Sequence, residues 1–279
     1  MLKYIKISYF SRLKLFLLLL SVSLFSCSGK KSRPENAPAQ PNTHIPDCKK
    51  ISEVYTPCVD FSNSTTKMNI SDWEKEFRAL CISKKDWHPK MLIMEKCLKT
   101  STECTPFMDC VYDLLATSAW KTAPTVKIND VPGDIRIGQG KIVVVLFFDA
   151  SKAKCTFILK TLARLQAEKP VFTLIIKPTS HQGSQEDELT AYVATHLGKL
   201  DYARQLNFIA DFKRDIDISG FKVDPAVVKN IRINSEFLEN SVINSLPVVI
   251  ISGKSFEGIS SENLYKNLIK ISTESQGVK

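Results

Sequence analysis

The fold is decided by residues 143–155, which read VVVLFFDASKAKC. The apolar run 143–148, rich in β-branched and aromatic side chains, predicts a buried central strand that closes on Asp149. A helical pattern follows, and Cys155 lies in its first turn. The apolar stripe of this helix consists of Ile158, Leu159, Leu162 and Leu165. The sequence therefore predicts an α/β unit whose central strand leads directly into a cysteine-bearing helix.

Further patterns extend this unit to residues 124–273. A second strand is predicted at 171–176, and a polar, mostly helical stretch follows at about 184–240. A third strand is predicted from Leu246 to Ile251, and a helix at 262–271 ends the unit. We expect an α/β domain with a helical insertion between its second and third main strands.

Several landmarks in this order resemble the DsbA-type branch of thioredoxin-like proteins. The family's strand and helix start typically read V-x-F-F-x-x-x-C-x-x-C, and here Lys152 stands at the first cysteine position with Cys155 at the second. Residues 194–200 resemble the segment that opens the family's helical insertion, and residues 128–133 are similar to its sequence ahead of the central strand. The resemblance implies a thioredoxin-like fold with a cis-proline at Pro247.

The resemblance also implies what the helix start can do. In a C-x-x-C pair the first cysteine attacks and the second resolves the mixed disulfide, so Lys-x-x-Cys cannot store a disulfide by itself. Cys155 is then either an inert buried thiol or a reactive monothiol whose pKa is lowered by Lys152, Lys154 and the helix start. A peroxidase-like use of the same thiol is a third alternative.

In this family the residue before the cis-proline pairs with an extended peptide, which implies that Leu246 and Pro247 bind peptide. This favours a non-enzymatic role in which the protein binds or scaffolds an envelope protein or peptide client. The alternative is a thiol–disulfide oxidoreductase or isomerase that acts through Cys155. We expect no cofactor and no metal ion in either case.

Residues 47–120 are predicted to form a small all-α domain stapled by disulfides. Six of the eight cysteines fall in this region, namely Cys48, Cys58, Cys81, Cys97, Cys104 and Cys110. An even number in an exported chain predicts three disulfides, while the spacing does not choose among the connectivities. Zinc binding is the alternative, but the spacing contains no C-x-x-C knuckle.

Residues 1–26 are predicted to be a signal peptide, with a basic start and an apolar stretch at 15–25 that is too short to span a bilayer. Residues 24–27 resemble the lipobox of bacterial lipoproteins, which predicts lipidation of Cys27. An ordinary signal peptide, with Cys27 incidental, is the alternative. Residues 27–46 are rich in Pro, Ser, Asn and Lys, and they are predicted to form a disordered tether.

These features predict a bacterial lipoprotein of the cell envelope that faces the periplasm. Ser28 is not the aspartate that retains some lipoproteins at the inner membrane, which favours the outer membrane. Loss of the signal peptide lowers the formal net charge from +9 to +5, and the remaining basic residues are scattered among acids. The expected partners are therefore the membrane, through the N-terminal lipid, and a protein or peptide, without nucleic acid.

Overall fold

A computed structural model describes residues 46–58, 70–83, 88–180, 185–241, 243, 245–258 and 261–277. The predicted signal peptide, Cys27 and all of the tether except its last residue lie outside the described residues. The chain divides between Ser118 and Ala119 into two compact units. No helix among the described residues is both long and apolar enough to cross a membrane.

The first unit is helical. Its helices are α1 (Cys48–Cys58), α2 (Ile70–Ser83), α3 (His88–Leu98) and α4 (Cys104–Thr122), the last of which runs into the second unit. Each of these helices buries one apolar face, as amphipathic helices of a small domain do. The largest fully or nearly fully buried side chains are Ile51, Tyr55, Phe77, Met91, Met94 and Phe107.

All six cysteines of this unit are oxidised, which confirms the prediction of three disulfides. The bonds are Cys48–Cys81, Cys58–Cys104 and Cys97–Cys110, which join α1 to α2, α1 to α4 and α3 to α4. Because the sulfurs are bonded to one another, they offer no thiolates to zinc. The cross-links supplement a hydrophobic core that is small for a stable domain.

The second unit contains a five-stranded mixed sheet. The strands are β1 (Ile135–Ile137), β2 (Ile142–Phe148), β3 (Phe172–Pro178), β4 (Val248–Ile251) and β5 (Lys254–Glu257), in the order β1-β3-β2-β4-β5. Only β2 and β3 pair in parallel, and the other neighbours are antiparallel. Strand β4 begins at Val248 rather than at the predicted Leu246, because Pro247 has no N–H to donate to the ladder.

Helices surround this sheet in the predicted order. Helix α5 (Ala153–Glu168) connects β2 to β3, and α9 (Glu262–Ser275) follows β5. The predicted helical insertion between β3 and β4 is confirmed as three helices, α6 (Gln185–Lys199), α7 (Tyr202–Asp211) and α8 (Pro225–Glu239). The unit is therefore α/β with a helical insertion.

The two faces of the sheet are both apolar, as the uninterrupted run in β2 predicts. Val145 and Phe147 of β2 belong to a buried cluster that also contains Leu238 of α8 and Ile243. Since side chains alternate along a strand, Leu146 and its even-numbered neighbours point to the opposite face. This arrangement buries β2 at the centre of the unit except at Val143, which is 42% exposed, and brings its carboxyl end to the start of α5.

Candidate functional site

The turn between β2 and α5 is organised by Asp149. Its Oδ1 accepts hydrogen bonds from the Ser151 N–H at 2.9 Å and from the Ser151 hydroxyl at 2.6 Å. The Lys152 N–H donates to the Asp149 carbonyl oxygen at 3.2 Å. Lys152 is the N-cap residue of α5, and its side chain makes no capping hydrogen bond. The turn is therefore held by the aspartate, while the helix itself starts without a side-chain cap.

Cys155 lies in the first turn of α5 and is fully buried. It is a free cysteine. Burial raises the pKa of its thiol to about 12, with a further upward contribution from the charge of Asp149. The Asp149 backbone and the charge of Lys152 lower the pKa, but by less. A reactive monothiol requires a lowered pKa, so the burial of Cys155 and the raised pKa that results from it favour the inert thiol.

Two buried polar side chains, those of Asp149 and Tyr265, lie near Cys155. Asp149 is fully buried, and its Oδ2 has no hydrogen-bond partner within the described part of the chain. The phenol of Tyr265 in α9 is fully buried. Burial raises the pKa of this phenol well above its usual value, and the nearby charge of Cys155 raises it further. The sequence did not identify Asp149 or Tyr265 as neighbours of Cys155. One signal was present for Asp149, which is an acid at the end of an otherwise apolar strand.

Residues of the helical insertion form hydrogen bonds to the turn between β2 and α5. The Ala150 N–H donates to Thr190 Oγ1 of α6 at 3.0 Å, and Arg214, which follows α7, donates from Nη1 to the Ser151 carbonyl oxygen at 3.0 Å. These contacts join residues that are 40 and 63 positions apart. The sequence carries no signal for them, because no local pattern links such distant positions.

The peptide bond between Leu246 and Pro247 is cis, which confirms the predicted cis-proline. Phe147 pairs with Val248 across the antiparallel β2–β4 ladder, so Pro247 lies beside Phe148, where β2 ends. The structure therefore brings the cis-proline and the start of α5 to one edge of the sheet. Leu246 is half-buried and packs against the cluster that contains Phe147.

The main chain at this edge is only partly hydrogen-bonded. The Pro247 carbonyl oxygen accepts from the Gly258 N–H at 3.3 Å. Within the described ranges, neither the N–H nor the carbonyl oxygen of Leu246 takes part in a backbone hydrogen bond. Main-chain groups without partners beside a strand are what an added extended segment requires.

No protein-family model and no curated protein matches this sequence. Solved structures of similar fold include the catalytic domain of Proteus mirabilis ScsC, at 19% identity over 57% of this chain and 98% of that chain, with a TM-score of 0.46. A periplasmic thioredoxin-like protein from Salmonella enterica serovar Typhimurium has 18% identity, coverages of 57% and 97%, and a TM-score of 0.44.

The thiol-disulfide exchange protein alpha-DsbA2 from Wolbachia pipientis has 15% identity over 59% of this chain and 97% of that chain, with a TM-score of 0.37. At such identities a likeness transfers no activity. The assignment comes from this chain's own features: the sheet order, the helix that follows the central strand, the insertion after β3 and the cis-proline before β4. By these features the second unit has a thioredoxin-like fold with a helical insertion.

Proposed function

We propose that the second unit binds an extended segment of another envelope protein at the edge formed by Leu246, Pro247 and the start of α5, without exchanging disulfides. One observation carries the proposal. At this edge the main chain of Leu246 has no backbone partner in the described residues, while Cys155, the free thiol of α5, is buried and held neutral. The edge thus retains hydrogen-bonding groups for a peptide and lacks an exposed sulfur.

The absence of turnover follows from the chemistry of Lys152 and Cys155. A lysine side chain cannot form the mixed disulfide that starts the exchange, and the remaining thiol has almost no thiolate at neutral pH because its pKa is about 12. A peptide bound beside Leu246 therefore finds no exposed thiol at the start of α5. Such a site can hold a client but cannot oxidise it.

The second candidate function is thiol–disulfide exchange through Cys155, the class of activity named for the Wolbachia pipientis protein of similar fold. The position of a free thiol in the first turn of α5 favours it. This candidate requires the first turn of α5 to open, because the thiol is fully buried in the closed domain. The two candidates differ in whether Cys155 is needed.

The binding proposal is tested by photocrosslinking in cells from Ser245, which is exposed and adjacent to Leu246. Leu246→Asp should reduce the crosslinked partner by about tenfold, because a charge beside the cis-proline disfavours burial of a peptide there. Val228→Asp is the matched control, since Val228 is an exposed apolar residue of α8. Thermal unfolding of each variant confirms that the domain is still folded.

The outcome of Cys155→Ala separates the two candidates. Crosslinking that is unchanged in this variant supports binding without exchange, and crosslinking that is lost supports the thiol-dependent activity. If Leu246→Asp crosslinks as well as the parent protein while folded, the edge beside Pro247 is not the binding site.

The second part of the proposal concerns the location of the protein. We propose that it is an exported lipoprotein anchored through Cys27, with both units in the periplasm and the anchor in the outer membrane rather than the inner membrane. The three disulfides support export, because such bonds persist in oxidising compartments. Metabolic labelling with a fatty acid should mark the parent protein, and Cys27→Ala should lose both the label and the membrane association. A labelled Cys27→Ala protein would contradict the anchor.

A further inference from the structure

The three disulfides of the first unit differ in their exposure to solvent. Cys48 and Cys81 are buried, at 6% and 0% exposure, and Cys97 is fully buried against a half-buried Cys110. Cys104 is exposed and Cys58 is half-buried. Among the cysteines that the structure describes, Cys104 alone is exposed.

The position of the Cys58–Cys104 bond in the unit explains this difference. Cys58 is the last residue of α1 and Cys104 is the first residue of α4, so the bond joins two helix ends and lies outside the core. The whole stretch 102–106 is exposed, so the residues on both sides of Cys104 are in contact with solvent. Cys81 and Cys97, in contrast, belong to the buried apolar core of the unit.

We propose that Cys58–Cys104 is an exchangeable redox site that reacts with a dithiol reductant, while the other two disulfides are structural. Exchange needs an attacking thiolate to reach a disulfide sulfur in line, so an exposed bond reacts and a buried one does not. The reaction partner is a protein or small molecule that carries two neighbouring thiols. The site is independent of the peptide-binding edge of the second unit.

The exchange proceeds in two balanced steps. A thiolate of the reductant bonds to Cys104 Sγ, the Cys58–Cys104 bond breaks, and Cys58 leaves as a thiolate that takes a proton from water. The second thiol of the reductant then loses its proton and attacks the reductant's own sulfur in the mixed disulfide. Cys104 leaves as a thiolate at the N-terminus of α4, where the helix dipole favours negative charge, and then takes up the proton that the second thiol released. The reductant loses two electrons and becomes a disulfide, and the protein gains them as two thiols.

The test uses the full chain under native conditions at pH 7 with dithiothreitol as the probe. Samples are quenched with acid at intervals and alkylated, and the labelled cysteines are identified by peptide mass mapping. We expect Cys58 and Cys104 to appear at least about tenfold faster than the four cysteines of the other disulfides. The far-UV circular dichroism should stay unchanged during this phase, because the buried bonds remain intact.

Simultaneous release of all six thiols, or earlier release of Cys97 and Cys110, would overturn the proposal, as would complete resistance of Cys58–Cys104. The matched variant is Cys58→Ser with Cys104→Ser, which should keep the helical content and lose the fast phase. A loss of fold in that variant contradicts the proposal, because an exchangeable bond must be dispensable for structure.

Discussion

Cys155 in the native protein is expected to react with iodoacetamide about a thousandfold more slowly at pH 8 than an exposed cysteine. The thiolate is the reacting form, and the pKa of Cys155 is raised from 9.0 to about 12 by burial. Three pKa units correspond to about a thousandfold less thiolate well below both values. The measurement is the rate of mass increase in the native chain, compared with the same chain in denaturant without reductant.

The pH dependence has a definite sign. The labelling rate should rise about tenfold per pH unit up to pH 12, since the folded thiol loses its proton only there. The unfolded thiol ionises near 9, so the neutral buried thiol favours the folded state below pH 9, and that contribution is lost as the pH rises towards 12. Native labelling at pH 7 as fast as in denaturant would contradict the buried thiol and support exchange through Cys155.

Asp134→Asn is expected to lower the free energy of unfolding of the second unit by about 3–5 kcal/mol. The carboxylate of Asp134 pairs with the ammonium of Lys177 in β3, and the two side chains are 3% and 2% exposed. Lys177 Nζ also donates to the Asn129 carbonyl oxygen at 2.9 Å, and Asp134 Oδ2 accepts from the Val131 N–H at 2.9 Å. Removal of the negative charge leaves a buried ammonium without its counter-ion, which is the main cost.

Urea unfolding followed by tryptophan fluorescence and circular dichroism measures this loss. Lys177→Met combined with Asp134→Leu should recover most of it, because an apolar pair of similar size has no buried charge. Arg136→Met is the control: the Arg136–Asp130 pair is 49% and 77% exposed, so its loss should cost less than about 1 kcal/mol. An Asp134→Asn protein within about 1 kcal/mol of the parent would show that the pair contributes little to the fold.

Much of the fold could be predicted because short-range patterns in the sequence indicate its strands and helices. The apolar run at 143–148 becomes β2 with one added residue, Ile142, and the stripe after Cys155 becomes α5. Both patterns depend on the alternation of side chains along a strand or around a helix, which neighbouring residues alone define. The sequence also indicated that Pro247 lies directly before a strand, since a proline there restricts the local main chain.

The candidate site could be predicted only in part. The sequence places Lys152 and Cys155 one helical turn apart, and it places Pro247 before a strand. It does not report that burial outweighs the Asp149 backbone hydrogen bond and the charge of Lys152 in setting the pKa of Cys155. Burial depends on elements far along the chain, such as α9 with Tyr265. A charge three residues away is visible in a sequence, but the dielectric environment of a thiol is not.

The sequence alone determined the order of β2, α5, β3, the helical insertion, β4 and α9, although it did not predict β1 or β5. It also determined the even set of six cysteines in the helical unit and the single thiol at the start of α5. Only the tertiary structure decided which cysteines pair, which disulfide is exposed and which groups surround Cys155. The physical reason is the sequence separation of the interacting residues. Local patterns arise from neighbours in the chain, whereas the burial of a side chain, the pairing of cysteines and the pKa of a thiol depend on distant segments that folding brings together.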